Sequence, residues 1–136
     1  MKVTKSDFKK AIEKEPSLTS GGIKSLFQIK NYKKLSLDES KKVFERDREL
    51  FSSEFEDFKI CCEWLSKFKK IKTPQFSSYY LKNVVEKLSG EYVSNGALIA
   101  AAVHLNIPIR LSDNSPNANI AISKKCHYLK DVGPVA

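Results

Sequence analysis

The residues with the most chemical reach fall into two basic clusters and one short polar segment. Lys67, Lys69, Lys70 and Lys72 stand in the run Lys-Phe-Lys-Lys-Ile-Lys, and Lys124-Lys125 lie near the C-terminus with His127 and Lys130. Ammonium groups one or two residues apart act as point charges on phosphates, so this pattern suits contact along a nucleic-acid backbone. The first cluster also suits a helix C-terminus, where cations answer the helix dipole. Nothing beside the lysines offers base-specific readout. Tyr79-Tyr80 could stack bases, although in Ser-Ser-Tyr-Tyr-Leu-Lys they fit equally well at the rim of a helical core.

Ser94-Asn95-Gly96 opens directly into an apolar run, Ala97 to Val103. The first N–H groups of a helix are unpaired and its dipole favours negative charge, so this opening can hold an anion or a small ligand. Lys82 and Tyr92 are close enough in sequence to contribute, as is the loop Ser115-Pro116-Asn117. The simpler expectation, and the preferred one, is that Ser94 or Asn95 only caps the helix. A small enzyme built around Tyr92, Asn95 and that loop would require a concave pocket that gathers Asn95 and Asn117.

Other chemistries find little footing. Aligning Gly90 with the turn glycine of a helix-turn-helix puts Glu86 where a small residue must pack. The second helix would then show DNA Tyr92, Val93, Ser94, Ala97, Leu98 and Ala101, which have almost no capacity to bond base edges. Cys126-His127 has no partners at zinc-site spacing, and His104 sits in an apolar helix. Glu54, Glu56 and Asp57 flank an aromatic stripe as a solvated acidic face would. No catalytic residue, metal ligand or cofactor motif is assigned, and an enzyme is the less favoured class.

The elements that must position these residues are mostly helices. A first helix is expected from near Ser6 to before Pro16, with Phe8, Ala11 and Ile12 inward. After the break Thr19-Ser20-Gly21-Gly22, a short helix is expected on Ile23, Leu26, Phe27 and Ile29. Ser36-Leu-Asp-Glu39 is a capping-box sequence. Beyond it Phe44, Phe51, Phe55, Phe58, Cys62, Leu65 and Phe68 form one apolar stripe at helical spacing. Held intact to about residue 70, before Thr73-Pro74, this helix would be roughly 50 Å long. So long a helix either kinks or packs on a second copy, which makes a homodimer through the stripe over residues 43–68 an expectation. Asp47 on the stripe and Ser52-Ser53 beside it count against a clean zipper seam.

In the second half, Ser77 or Ser78 caps a helix on Leu81, Val84, Val85 and Leu88, ended by Gly90. The helix from about Gly96 to Leu105 follows. Ile107–Leu111 and Asn119–Ser123 alternate like a strand pair, with Pro108 placing the first at an edge. The reading is therefore one α+β, mainly α domain over residues 1–136. It has about five helices, with a helical part at 1–73 and a helix-helix-strand-pair part at 74–136.

The second half also carries a resemblance. Ser78-Tyr79, Leu81-Lys82, Glu86, Gly90, Tyr92-Val93, Asn95-Gly96 and Ser115-Pro116-Asn117 together resemble a family of small uncharacterised proteins encoded by bacterial plasmids, integrative elements and phages. The family pattern pairs a lysine with a histidine where this chain has Lys82-Asn83. The resemblance implies a mobile-element origin and no particular reaction.

Across 136 residues the formal charge is +8. Residues 1–75 carry 18 Lys and Arg against 12 Asp and Glu, much of it interleaved as on a solvated helix face. Such an excess favours polyanionic partners, namely nucleic acid, an acidic protein or an anionic membrane surface. Three cysteines, two of them adjacent, make no disulfide framework and fit a reducing cytosol. The N-terminus lacks the apolar core of a signal peptide, and Ala97–Val103 is too short to span a bilayer. The expectation is a basic cytoplasmic protein, without cofactor or membrane, that binds nucleic acid non-specifically or as an accessory factor. A protein–protein module such as an inhibitor of host defence, and the small enzyme near Asn95 and Asn117, are the alternatives.

Overall fold

The computed structural model describes residues 2–24, 36–111, 115–126 and 128–129. Of the helix expected on Ile23, Leu26, Phe27 and Ile29, Ile23 lies instead in a two-residue strand, and the other three lie outside the described residues, as do residues 112–114, His127 and Lys130 with the residues after it. Among the described residues the fold is α+β and mainly α. Its helices are α1 (Lys5–Lys14), α2 (Leu37–Phe51), α3 (Phe55–Leu65), α4 (Ser78–Ser89) and α5 (Asn95–His104). A hairpin of β1 (Leu18–Thr19) and β2 (Gly22–Ile23) lies between α1 and α2. β3 (Phe76–Ser77), β4 (Ile109–Leu111) and β5 (Ala118–Ile120) form an antiparallel sheet in the order β3-β5-β4.

The local signals explain most helix ends. Ser77 Oγ accepts from the N–H groups of Tyr79 and Tyr80. Gly90, at φ +75°, closes the other end of α4 in the left-handed conformation that glycine takes without strain. Ser36 Oγ accepts from Glu39 N–H at 3.2 Å, which is half of the expected capping box. The complete box forms one helix earlier, between Thr4 and Asp7.

The single helix expected from 37 to about 70 is two helices. Ser52 Oγ donates to the Glu49 carbonyl at 2.6 Å and Ser53 Oγ to the Leu50 carbonyl at 2.7 Å. Side-chain hydroxyls that take up nearby carbonyls compete with the helical ladder. Tight turns, Ser53 N–H to Leu50 O and Glu54 N–H to Phe51 O, complete the break. The same device ends α3, where Ser66 Oγ donates to the Glu63 carbonyl at 2.8 Å, well before Pro74.

The apolar stripe is spent inside this chain. Phe51, Phe58, Cys61, Cys62, Leu65 and Phe68 are all buried in the core. Phe8 of α1 stacks on Phe58 and meets Phe51 edge-on, at 4.7 Å and 5.2 Å between centroids. From Phe51 onward only Phe55 and the flanking Trp64 stay half-buried, which leaves little of the stripe for the expected homodimer. Asp47 pairs with Lys24 at 3.0 Å instead of facing a seam.

At the centre lies α5, whose residues from Asn95 to Ala102 are all buried. Its small side chains admit close neighbours, and α3, α1, α4 and the β1-β2 hairpin pack around it. The core is shared between the segments before and after residue 73. Arg48 ties α2 to the end of α1 by donating to the carbonyls of Ile12, Glu15 and Pro16. In the sheet β4 is an edge strand, as Pro108 just before it predicts, and β3 is a third strand beyond the expected pair. None of the helices among the described residues is long and apolar enough to cross a membrane.

Candidate functional sites

Two surfaces gather the residues singled out above. The first is a lysine edge. Lys67 sits in the turn that closes α3 at its C-terminus, as expected of the cluster, whereas Lys69, Lys70 and Lys72 lie beyond the helix, which stops at Leu65. The segment from Lys69 onward runs beside the continuation of β5. Lys70 bridges Ile122, Ile71 N–H donates to Ala121 O, and Ser123 N–H donates to Lys69 O at 2.9 Å. The antiparallel register brings Lys124-Lys125 beside Lys67 and Lys69, at the end of the run away from Lys72, although more than fifty positions separate them in sequence. Each of these lysines is exposed, and none forms an ion pair among the described residues. The Lys67 ammonium lies 4.3 Å from the centre of the Trp64 ring. Trp64 and Phe68 in turn pack on Tyr128, so an aromatic cluster supports this edge.

The second surface is a cavity of about 640 Å³ lined by Ser20, Gly21, Tyr79, Lys82, Tyr92, Asn95, Pro116 and Asn117. The β1-β2 hairpin, α4, the start of α5 and the approach to β5 each supply part of its wall. Asn95 Nδ2 holds the hairpin and the loop together by donating to Gly21 O at 3.1 Å, Pro116 O at 3.4 Å and Asn117 Oδ1 at 2.9 Å. Asn95 Oδ1 is buried with no hydrogen-bond partner among the described residues. Lys82 reaches Glu86 at 3.0 Å, and its ammonium lies 5.4 Å and 5.1 Å from the ring centres of Tyr79 and Tyr92.

Of the residues proposed for a ligand site, Lys82, Tyr92, Asn95 and Asn117 line this cavity. Ser94, Gly96 and Ser115 do not. Ser94 Oγ accepts from Ala97 N–H and caps α5. Gly96 N–H donates to Ser20 O, and Ser115 Oγ accepts from Asn117 N–H to shape the loop. At the start of α5 the protein's own acceptors hold the N–H groups of Gly96, Ala97 and Leu98, which leaves little for an outside anion. Ser94 N–H goes to Asp57 and Val93 N–H to Glu86, while Ser94 Oγ donates to Glu54.

Of the three carboxylates read as a solvated face, Glu56 is exposed as expected, and Glu54 and Asp57 are misassigned. Glu54 and Asp57 are not a solvated face; they reach across to α5, and Glu54 also accepts from Ser20 Oγ at 2.6 Å. Partial burial raises the Asp57 carboxyl above its ordinary value, with the Ser94 N–H opposing and Glu54 and Glu86 adding repulsion. Contacts at sequence separations of 34 to 40 leave no periodic trace to detect.

Among the described residues no group of His, Cys, Asp and Glu is placed to hold a metal ion. Burial pushes the Cys62 thiol up to about 12 and Cys61 well above the ordinary thiol range, so neither is a poised nucleophile. No protein-family profile, curated protein or solved structure matches the chain, so its function is argued from these two surfaces.

Proposed function

We propose that the chain is a small basic protein that binds nucleic acid through its lysine edge, following the backbone without reading sequence. The observation that carries this reading is the pairing of residues 69–71 with 121–123, which merges two remote lysine clusters into one exposed, unneutralised strip. Phosphates approaching it meet mobile ammonium groups, which favour charge neutralisation over fixed geometry. The mobile-element origin implied by the resemblance agrees with such an accessory role.

The test is a salt titration on generic single-stranded and duplex oligonucleotides. Four to six lysine contacts on a single strand predict a slope of roughly −3 to −4 in log affinity against log salt. Reversing Lys69 and Lys70 to Glu should flatten the slope and weaken binding. The same reversal at Lys41 and Lys42, exposed on α2, should change it much less. No binding at about 50 mM salt, or equal losses from both variants, would sink the proposal.

The cavity favours a second reading, a ligand site, because it meets the requirement that Asn95 and Asn117 converge in a concave pocket. The protein-docking alternative keeps only part of the face it was to use, the half-buried Val43, Phe44 and Phe55 with the exposed Leu50, since most of the stripe from Phe51 onward is buried.

A further inference from the structure

The cavity between the β1-β2 hairpin, α4 and the approach to β5 has a chemistry of its own. Its mouth carries two tyrosines with unusually open rings, Tyr79 at 52% and Tyr92 at 73% exposure. Large aromatic surface left in water beside a concave site is a stacking platform for a planar ligand.

The polar groups define the edge such a ligand must show. Lys82 spends one N–H on Glu86 and keeps two. Asn117 gives its oxygen to Asn95, which leaves its amide N–H groups as donors. The same wall supplies an acceptor in the Gly21 carbonyl, which has one lone pair taken by Asn95. Donors next to an acceptor complement a ring carbonyl beside a ring N–H. Uracil, thymine, guanine and hypoxanthine present that cyclic-amide edge.

Charge decides against an anion. Glu86 offsets Lys82 directly, and Glu54 and Asp57 lie close behind, bonded to Ser20 and Ser94. A phosphate would have to shed water into a site without net positive charge, which is costly, whereas a neutral ring loses little.

We propose that this cavity binds a nucleobase with a cyclic-amide edge, stacked against Tyr92 and Tyr79 and read by Lys82 and Asn117. The base is supplied either as a free nucleoside or by an unpaired nucleotide of a strand. The site stands on its own residues and does not require the lysine edge.

The full-length chain should be titrated with uridine, guanosine, cytidine and adenosine, followed by calorimetry and by the backbone and side-chain amide signals of Gly21, Tyr92 and Asn117. Uridine or guanosine should bind at least several-fold tighter than cytidine and adenosine. Tyr92→Ala should weaken the favoured nucleoside by about 10-fold, and Tyr92→Phe, which keeps the ring, should hold within about 2-fold. Uridine 5′-monophosphate should bind no tighter than uridine. If free nucleosides fail to saturate below ~10 mM but Tyr92→Ala weakens a uridine octamer about 10-fold, with Lys69 and Lys70 intact, the base comes from a strand. The proposal falls if neither nucleosides nor the octamer respond to Tyr92→Ala. It also falls if the monophosphate binds more than about 10-fold tighter than uridine, which would restore an anion site. If nucleosides do not bind either, loss of octamer binding only in the Lys69 and Lys70 variant would support the lysine edge and overturn the base pocket.

Discussion

Gly96 sits at the tightest contact around the cavity. A Cβ built on it would lie 1.9 Å from the Thr19 carbonyl oxygen and 3.1 Å from Ser20 Cα, both backbone atoms with no rotamer to yield. Its own N–H donates to Ser20 O at 2.9 Å, so the first turn of α5 is pressed edge-on against the β1-β2 hairpin. Gly96→Ala should therefore destabilise the fold by roughly 2–3 kcal/mol, seen as a fall in Tm on the order of 10 °C. Gly21→Ala is the matched control, since its Cβ meets nothing within 4 Å. Equal Tm values for the two variants would show that the hairpin does not press on α5 as described. In the sequence this glycine reads as part of a helix start, which is correct. What no local pattern reveals is that a strand carbonyl from over seventy residues away occupies the space a side chain would need.

The helix ends that depend on a single residue type are legible in the sequence, as Ser77, Gly90 and Ser94 show. The break at Ser52-Ser53 is harder, because Phe51, Phe55 and Phe58 keep helical spacing across it and the stripe conceals the interruption. Two-residue strands such as β1, β2 and β3 are too short to show alternation, so they read as loop or, at Ile23, as the start of a helix. The start of α5 is held by carboxylates from the α2–α3 junction, α3 and α4, and here pH gives a test. Asp57 is raised in the folded protein, so its ionised form lowers stability at neutral pH. That penalty fades as pH falls through the raised value toward the ordinary 3.8. Asp57→Asn keeps an oxygen for Ser94 N–H and removes the repulsion from Glu54 and Glu86. Its Tm should match or exceed that of the parent at pH 7, with the difference closing toward pH 4. A large loss at pH 7 would instead mean that the charged bond to Ser94 outweighs burial.

At the scale of the whole molecule the question is whether the segments on either side of residue 73 open together. The boundary drawn there from Thr73-Pro74 marks a connection, but the core runs across it: α3 packs on α5 and α4, and Ser78 Oγ accepts from Ala118 N–H within the later segment. The three cysteines report on both sides, with Cys61 and Cys62 on α3 and Cys126 after β5, all buried and unpaired. Burial keeps Cys61 and Cys62 protonated at neutral pH, and a protonated, inaccessible thiol does not react with an alkylating reagent. Labelling of the native protein should therefore be negligible over minutes. With increasing urea the three sites should become reactive in one common transition that coincides with loss of helical circular dichroism. Mass spectrometry of the labelled chain distinguishes the cases. Cys126 reacting at lower urea than Cys61 and Cys62 would mean that the C-terminal segment opens separately. The lysine edge, which depends on residues 121–123 staying paired with 69–71, would then assemble only when that segment is closed.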